Sequence, residues 1–353
     1  MTTFEQDLKK TIEAARNGAG YRNYLDARTA VFQMIENGKK ENFSASSYWN
    51  EELAGLKYMF DAPPLIIESL RHHSHHFTGD KEYAYRSHHI KNRAKNVVRL
   101  KKQFSALKNL DTKGLFVPES PVLGGYGIGA GKELYNLDTL RYYEAMISME
   151  KGGALSAFKD EDNADKKIIL EIGSGWGGFA YQFKTLFPRA ICVLVDFPAA
   201  LLFAATYLMT AFPESKALLF DGRASEAGKI NPEKYDFLFI PNFAFKHLEF
   251  RRPDLIVNTA SFQEMTEDQL DGYLKKAKQW GVPNIYSWNR GRSMHNPELM
   301  SVDDVLRRYY DWREIKIFGD NKKLNFKNIL KRILRKDTGN PAEYRHLIGK
   351  LPE

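Results

Sequence analysis

The residues with the clearest chemical signature lie between positions 170 and 178, in the segment LEIGSGWGG. Glycines at 173, 175, 177 and 178 follow an apolar run, and a helical pattern follows them. Glycine lets a backbone approach a ligand closely, and a helix N-terminus offers unpaired N–H groups. Asp196 closes the next apolar run, where a carboxylate can accept hydrogen bonds from a ribose diol. Together these features predict a site for a nucleoside-containing cofactor.

The residue types around the glycines distinguish between cofactors. Gly173, Gly175 and Gly178 satisfy the dinucleotide pattern G-x-G-x-x-G, so an NAD-dependent oxidoreductase is one interpretation. Glu171, two residues before the first glycine, favours another. An anionic side chain there repels a pyrophosphate and attracts the sulfonium and ammonium groups of S-adenosylmethionine. We therefore predict S-adenosylmethionine as the cofactor.

The chain resembles the sugar O-methyltransferase family, within the class I S-adenosylmethionine-dependent methyltransferases, over roughly residues 118–320. The similar segments are LEIGSGWGGFAYQF, VLVDFP with a Tyr-Leu pair at 207–208, DLIVNTASFQEM and YSWNR. The first is common to class I enzymes, whereas NTxSxxEM is more selective. The chain has Asp-Phe-Pro at 196–198 where the family pattern has Asp-Leu-Pro. The resemblance implies methyl transfer to a hydroxyl of a sugar that is free, nucleotide-linked or part of a glycan.

The resemblance also implies which residues hold the cofactor. Its methionine end is expected to lie against one cluster: Glu171, Gly173, Ser174, Gly175 and Gly177. The ribose hydroxyls are expected to bind Asp196, with Phe197 packing beside the adenine. Asn258 and Thr259, at the end of the fourth strand, would line the methyl-transfer channel.

The third strand has two candidate segments. We take residues 237–240 as this strand, which places Asn242 and Phe243 beside the adenine. If residues 217–220 form it instead, that position belongs to Asp221.

Methyl transfer to a hydroxyl requires a group that removes the hydroxyl proton. Glu264, shortly after the fourth strand, is the first candidate for this base, and His295, in the loop after the fifth strand, is the second. Each has a structural alternative. Glu264 could simply favour the N-terminus of the following helix, and His295 could only bond backbone within its loop.

Substrate contacts are expected from three residues near the same edge of the sheet. Ser261 would line the channel on the acceptor side. Arg290 and Arg292 could bind a phosphate or carboxylate of the acceptor, and the alternative for both is a solvated surface position.

Histidines are concentrated in one part of the N-terminal third, at positions 72, 73, 75, 76, 88 and 89. His72 and His76 would share a face of a helix. The sequence contains no H-E-x-x-H, and its single cysteine, Cys192, excludes a multi-thiolate zinc site. We therefore predict no metal site and interpret the cluster as a polar lid or surface.

The order of apolar runs predicts the fold. Short β-branched runs alternate with helical stretches from residue 168 onward, and the last strand is expected at residues 314–318. This alternation indicates a mostly parallel sheet covered on both faces. The expected fold is therefore α/β, and the resemblance implies that the sheet is the Rossmann-like, doubly wound sheet of seven strands of class I methyltransferases. We expect three segments: a mainly helical N-terminal domain over residues 1–117 that binds the acceptor or forms a lid, the methyltransferase domain over 118–320, and a basic tail over 321–353.

The net charge of +8 is unevenly distributed. Residues 83–110 and 322–336 are rich in Lys and Arg and contain no acid. These runs predict either solvated faces or attraction to phosphates, on a nucleotide-sugar or at an anionic membrane surface to which the chain binds peripherally. No nucleic-acid-binding module accompanies them, so we expect no nucleic-acid partner.

The remaining expectations concern location and alternative functions. The charged N-terminal segment lacks the apolar stretch of a signal peptide, which predicts the cytoplasm. Residues 190–213 are apolar enough to suggest a membrane span, but Asp-Phe-Pro at 196–198 divides them into a strand and a helix. Besides a sugar O-methyltransferase, a methyltransferase for another small hydroxylated metabolite and an inactive cofactor-binding scaffold stay open. A homo-oligomer is a further expectation.

Overall fold

Eight strands form one sheet in the computed structural model, which describes residues 3–41, 47–129, 133–159, 165–291, 301–318 and 343–352. The strands are β1 (Ile168–Ile172), β2 (Ile191–Asp196), β3 (Ala217–Leu219), β4 (Phe237–Pro241), β5 (Leu255–Thr259), β6 (Asn284–Arg290), β7 (Asp311–Glu314) and β8 (Tyr344–Lys350). Their spatial order is β3-β4-β2-β1-β5-β6-β8-β7. Strands β1 to β6 pair in parallel, and β8 is antiparallel to both β6 and β7.

This topology confirms the expected Rossmann-like sheet. Every residue of β1 and β4 is buried, as expected for parallel strands covered on both faces. The strand order reverses between β1 and β5, and ligands of such sheets bind outside the carboxyl ends of the strands at this point. The strand number is corrected from seven to eight.

The additional strand explains the ambiguity over the third strand, because both candidate segments are strands. β4 pairs with β2, from Cys192 opposite Phe237 to Asp196 opposite Pro241. The three-residue β3 lies beyond β4 at the edge of the sheet. Asn242 and Phe243 therefore follow the strand next to Asp196, whereas Asp221 follows the edge strand.

The C-terminal end of the sheet differs from the sequence prediction in two places. Residues 344–350, which the sequence prediction assigned to a basic tail, form β8 between β6 and β7 and are part of the sheet. A strand expected over residues 314–318 lies instead at Asp311–Glu314. This edge strand is polar and mostly exposed, so it lacks the apolar pattern on which the prediction depended, whereas Ile315 and Ile317 are buried outside it.

Helices cover the sheet and make up most of the N-terminal region. They are α1 (Thr3–Asn17), α2 (Ala19–Lys40), α3 (Ser47–Gly55), α4 (Pro64–Ile67), α5 (Leu70–His73), α6 (His75–Thr78), α7 (Ile90–Leu110), α8 (Leu137–Gly152), α9 (Gly178–Leu186), α10 (Pro198–Ala211), α11 (Glu267–Gln279) and α12 (Val302–Leu306). α2 packs along α10, where Asn23 Nδ2 donates to Thr210 Oγ1 at 3.0 Å. Buried residues on both sides of the predicted boundary at 117 share one hydrophobic core.

The apolar run over residues 190–213 is divided as expected into β2 and α10. Among the described residues, no helix is both long and apolar enough to cross a membrane.

A buried ion network joins the N-terminal region to the glycine loop that follows β1. Arg71 Nε bonds Glu119 Oε1 at 2.8 Å, and its Nη2 bonds Asp138 Oδ2 at 2.9 Å. The guanidinium also lies 3.8 Å from the ring centre of Trp176. Burial alone would lower the pKa of Arg71, but Glu119 and Asp138 raise it above its usual value. The cation therefore stays charged between the two carboxylates.

We expect Arg71→Leu to lower the free energy of unfolding by about 3–5 kcal/mol, because it removes the cation that pairs with the buried Glu119 and leaves Asp138, among the described residues, with only the half-buried Arg141 at 3.3 Å. Adding Glu119→Gln and Asp138→Asn to this variant should restore part of the loss, since the remaining amides carry no charge. Urea unfolding of the wild type and both variants measures this. A triple variant less stable than Arg71→Leu would contradict the electrostatic explanation.

Candidate active site

The loop after β1 brings the backbone of four glycines to the carboxyl edge of the sheet. Gly173 has φ = 77°, a conformation that side chains rarely adopt. A Cβ atom at this position would lie 2.2 Å from Ser261 Oγ. The loop after β5 therefore closes directly onto the glycine loop, which requires glycine at 173.

Asp196, at the end of β2, holds the glycine loop through its carboxylate. Its Oδ2 accepts the Gly175 N–H at 2.7 Å, and its Oδ1 accepts the Phe197 N–H at 2.7 Å. Burial raises the pKa of Asp196 to about 7, although both backbone N–H groups oppose this rise. Each oxygen has a further lone pair, so the carboxylate can still accept hydrogen bonds from a diol.

Two polar atoms beneath the loop are buried without a partner among the described residues: Glu171 Oε2 and Ser174 Oγ. Glu171 is only 3% exposed. Burial raises the pKa of Glu171 well above its usual range, and the nearby charge of Asp196 raises it further. A cationic ligand with N–H donors would stabilise the ionised form of this carboxyl. These residues therefore fit the methionine end of S-adenosylmethionine.

Asn258 lies at the predicted edge but has a different role from the one expected. Its Nδ2 donates to Ile172 O at 2.7 Å, and its Oδ1 accepts from Phe262 N at 2.9 Å and Asn289 Nδ2 at 2.8 Å. The fully buried side chain thus holds the strand ends and the following loop in place. The neighbouring Thr259 is half-buried and reaches the edge of the sheet.

Glu264 lies in the turn after β5 and is buried at this edge. Its Oε1 accepts from Gln263 Nε2 at 3.1 Å. Gln263 is itself fixed, because its Nε2 also bonds Tyr344 Oη at 3.2 Å and its Oε1 accepts from Arg290 N at 2.8 Å. Gln263 and Tyr344 therefore orient the carboxylate, a function that the sequence analysis did not assign to them.

Arg290 ends β6 at the same edge. Its guanidinium lies 4.5 Å from the ring centre of Tyr344, and its Nε has no partner among the described residues. Arg292 and His295 lie outside the described residues.

Side chains of the N-terminal region form a roof over the loop and the adenine side. The ring of Trp49 on α3 lies 5.7 Å from that of Phe197, and Phe77 on α6 lies within contact distance of a Cβ placed at Gly175. Gly38 of α2 lies against the ring of Phe243, which is so near that a Cβ atom at position 38 would be only 2.9 Å from it. No sequence signal identified Trp49 or Phe77, because each is more than 90 residues away from its partner.

The histidine cluster lies on α5 and α6, next to Phe77 in the chain. Tyr58 Oη lies 2.7 Å from His73 Nδ1 and 3.4 Å from His76 Nε2. Burial lowers the pKa of His73 and His76, and neighbouring imidazoles lower it further. Within the described part of the chain, no group of three or more His, Cys, Asp or Glu side chains could hold a metal ion.

No protein-family model matches this chain, and no curated protein matches it. Solved structures resemble it at low identity. An O-methyltransferase family protein from Burkholderia thailandensis has 10% identity and a TM-score of 0.33, covering 61% of this chain and 60% of that one. Human N-acetylserotonin methyltransferase in complex with SAM has 11% identity and a TM-score of 0.30, and the match covers 71% of this chain and 67% of that one. A cofactor-bound protein from MTB, Rv0187, has 11% identity and a TM-score of 0.35, and the match covers 71% of this chain and 88% of that one.

This chain therefore spans about 60% of the length of the Burkholderia protein. At these identities and TM-scores the similarity carries no argument about function.

We expect Glu171→Gln to stabilise the protein without cofactor, and more so as the pH rises. The unfolded chain releases the Glu171 proton near its ordinary pKa, whereas the folded chain retains it to higher pH. Wild-type stability therefore falls as the pH rises above about 4.5. At pH 8 the variant should gain about 1–3 kcal/mol, and less at pH 5.

Urea unfolding at both pH values measures this difference. Glu214→Gln, at an exposed position, is the matched control and should not alter the pH dependence. A Glu171→Gln variant less stable than the wild type at pH 8 would show that the carboxylate has a partner in the folded protein.

Proposed function

We propose that this chain is an S-adenosylmethionine-dependent O-methyltransferase that methylates a hydroxyl of a sugar, free, nucleotide-linked or part of a glycan. The observation that carries the cofactor assignment is the carboxyl group of Glu171, buried beneath the glycine loop with Oε2 unpartnered among the described residues. A dinucleotide would bring a pyrophosphate to the same loop, next to Glu171 and Asp196. The electrostatics therefore favour a cation.

The residues of the site suggest how the reaction proceeds. The cofactor supplies an electrophilic methyl group on its sulfonium. Glu171 and Ser174 would bind the amino-acid end, Asp196 would bind the ribose, and the roof residues Trp49 and Phe77 would exclude water from the loop. The backbone of residues 173–177 would hold the methionine end of the cofactor, beside which the protein would have to orient an acceptor hydroxyl.

Glu264 supports oxygen as the acceptor atom. A hydroxyl is a weak nucleophile at neutral pH, and its proton must leave as the carbon–oxygen bond forms. A carboxylate oriented by Gln263 at the edge between β5 and β6 can accept that proton.

The sugar assignment depends on the NTASFQEM segment and its neighbours, which resemble the sugar O-methyltransferase family. Arg290 Nε, which has no partner among the described residues, favours an acceptor with a phosphate or carboxylate, such as a nucleotide-linked sugar.

The cofactor proposal is tested by calorimetry with S-adenosylmethionine, S-adenosylhomocysteine, methylthioadenosine and NAD⁺. We expect the first two to bind, and Glu171→Gln to weaken both by about 10- to 100-fold, because each carries an ammonium group. Methylthioadenosine lacks that group and should bind wild type and variant equally. The variant should thus lose affinity while gaining stability, a combination that a folding defect cannot produce. Preferential binding of NAD⁺ would overturn the proposal.

For catalysis, we expect Glu264→Gln to reduce kcat by about 10²- to 10⁴-fold while the affinity for S-adenosylhomocysteine is unchanged. The assay measures transfer of labelled methyl groups to a panel of free and nucleotide-linked sugars and other small hydroxylated metabolites. Glu267→Gln is the matched control, because this exposed carboxylate occupies the first turn of α11. An equal effect of both variants would assign Glu264 to helix stabilisation. Cofactor binding without turnover on any acceptor would favour a scaffold.

A further inference from the structure

The helix α7 presents two contrasting faces. Leu100 and Leu107, one heptad apart, are fully buried and pack it onto the core. The opposite face is exposed and carries most of the cations of the helix: Lys91, Lys95, Arg99, Lys101, Lys102 and Lys108. Since α7 has 21 residues, this face extends over about 30 Å.

Four of these cations form a continuous ridge. Lys91, Lys95, Arg99 and Lys102 follow one another at intervals of four, four and three residues, so each is adjacent to the next on the helix surface. Like charges at this spacing destabilise a helix. The sequence could relieve this repulsion with acids, but residues 83–110 contain none.

The fold does not neutralise the ridge either. Lys108, which is not part of the ridge, does form an ion pair: its Nζ lies 3.6 Å from Glu133 Oε1. Across the described ranges, none of the four ridge residues forms an ion pair, a side-chain hydrogen bond or a contact with an aromatic ring. A row of unpaired cations on a helix that is otherwise firmly packed indicates a surface that meets an anionic partner.

We propose that this exposed face of α7 binds the surface of an anionic phospholipid bilayer. A straight ridge on one helix matches a flat charged plane, because all four cations can reach headgroup phosphates together. Val98, 55% exposed, lies between Lys95 and Lys102 on the same face and can enter the headgroup region. Single-stranded nucleic acid is a poorer match, because its binding sites use aromatic stacking platforms, and the exposed described residues of this face contain no aromatic side chain.

The test is flotation of the full chain with vesicles of phosphatidylcholine alone and of phosphatidylcholine with 30% phosphatidylglycerol. The variant is Lys91→Gln/Lys95→Gln/Lys102→Gln. The matched control is Lys229→Gln/Lys234→Gln/Lys275→Gln, which removes the same charge from exposed positions elsewhere.

We expect the wild type and the control to bind only the anionic vesicles, more weakly as salt increases. The α7 variant should bind about 100-fold more weakly, a factor of about five per cation. Urea unfolding checks that this variant is at least as stable as the wild type, as expected when like charges are removed.

Three results would overturn the proposal: no binding of the wild type to anionic vesicles, equal losses in variant and control, or unchanged binding of the α7 variant. The last would place the contact elsewhere, for example in the basic run at 322–336. Displacement of the vesicles by an oligonucleotide that the α7 variant no longer binds would instead assign the ridge to nucleic acid.

Discussion

The main constraint on this molecule is the burial of the Glu171 carboxyl group. One of its oxygens has no hydrogen-bond partner among the described residues. Glu171 occupies the middle of the sheet, on a strand paired with β2 on one side and β5 on the other. Neutralisation by proton uptake is one way to lower the cost of burying such a group, and a cation is the other. The pairing of β1 with strands on both sides stabilises the fold enough to keep this carboxyl group buried. A destabilising buried group of this kind is useful at a binding site, where a ligand can compensate for it.

The sequence predicted the part of the structure that local chemistry determines. Glycine spacing, a single acidic residue after each of two apolar runs, and proline at the start of α10 were enough to place β1, β2 and the loop between β1 and α9. The strands β7 and β8 were misplaced because neither has the apolar pattern of a central strand. β7 is polar, and the partly exposed β8 is stabilised by hydrogen bonds to two antiparallel neighbours.

Residue type alone does not determine which groups a side chain bonds. Asn258 ends up joining β1, β5 and β6 through its amide, and its place in a methyl-transfer channel stays a prediction. The hydrogen bonds of such a buried amide depend on which backbone groups of other strands lack partners, and no local sequence pattern shows this. Gln263 was overlooked because its bonds also join segments that are distant in the sequence. Trp49 and Phe77 come from the N-terminal region, which contacts the rest of the fold where α2 packs on α10, where Phe77 packs against Phe203, and where Arg71 lies against Trp176.

The arrangement of charge links these features. The chain is cationic overall, yet the edge of the sheet where the glycine loop lies combines two carboxyl groups, Glu171 and Asp196, whose pKa values are both raised. Asp196 also holds the glycine loop through Gly175, so the conformation of the loop and the proposed recognition of a ribose involve the same carboxylate. A ligand that is cationic at one end and carries a diol at the other stabilises both ionised groups at once. A ligand that has only the cation or only the diol stabilises one of the two carboxylates and leaves the other buried without a ligand contact.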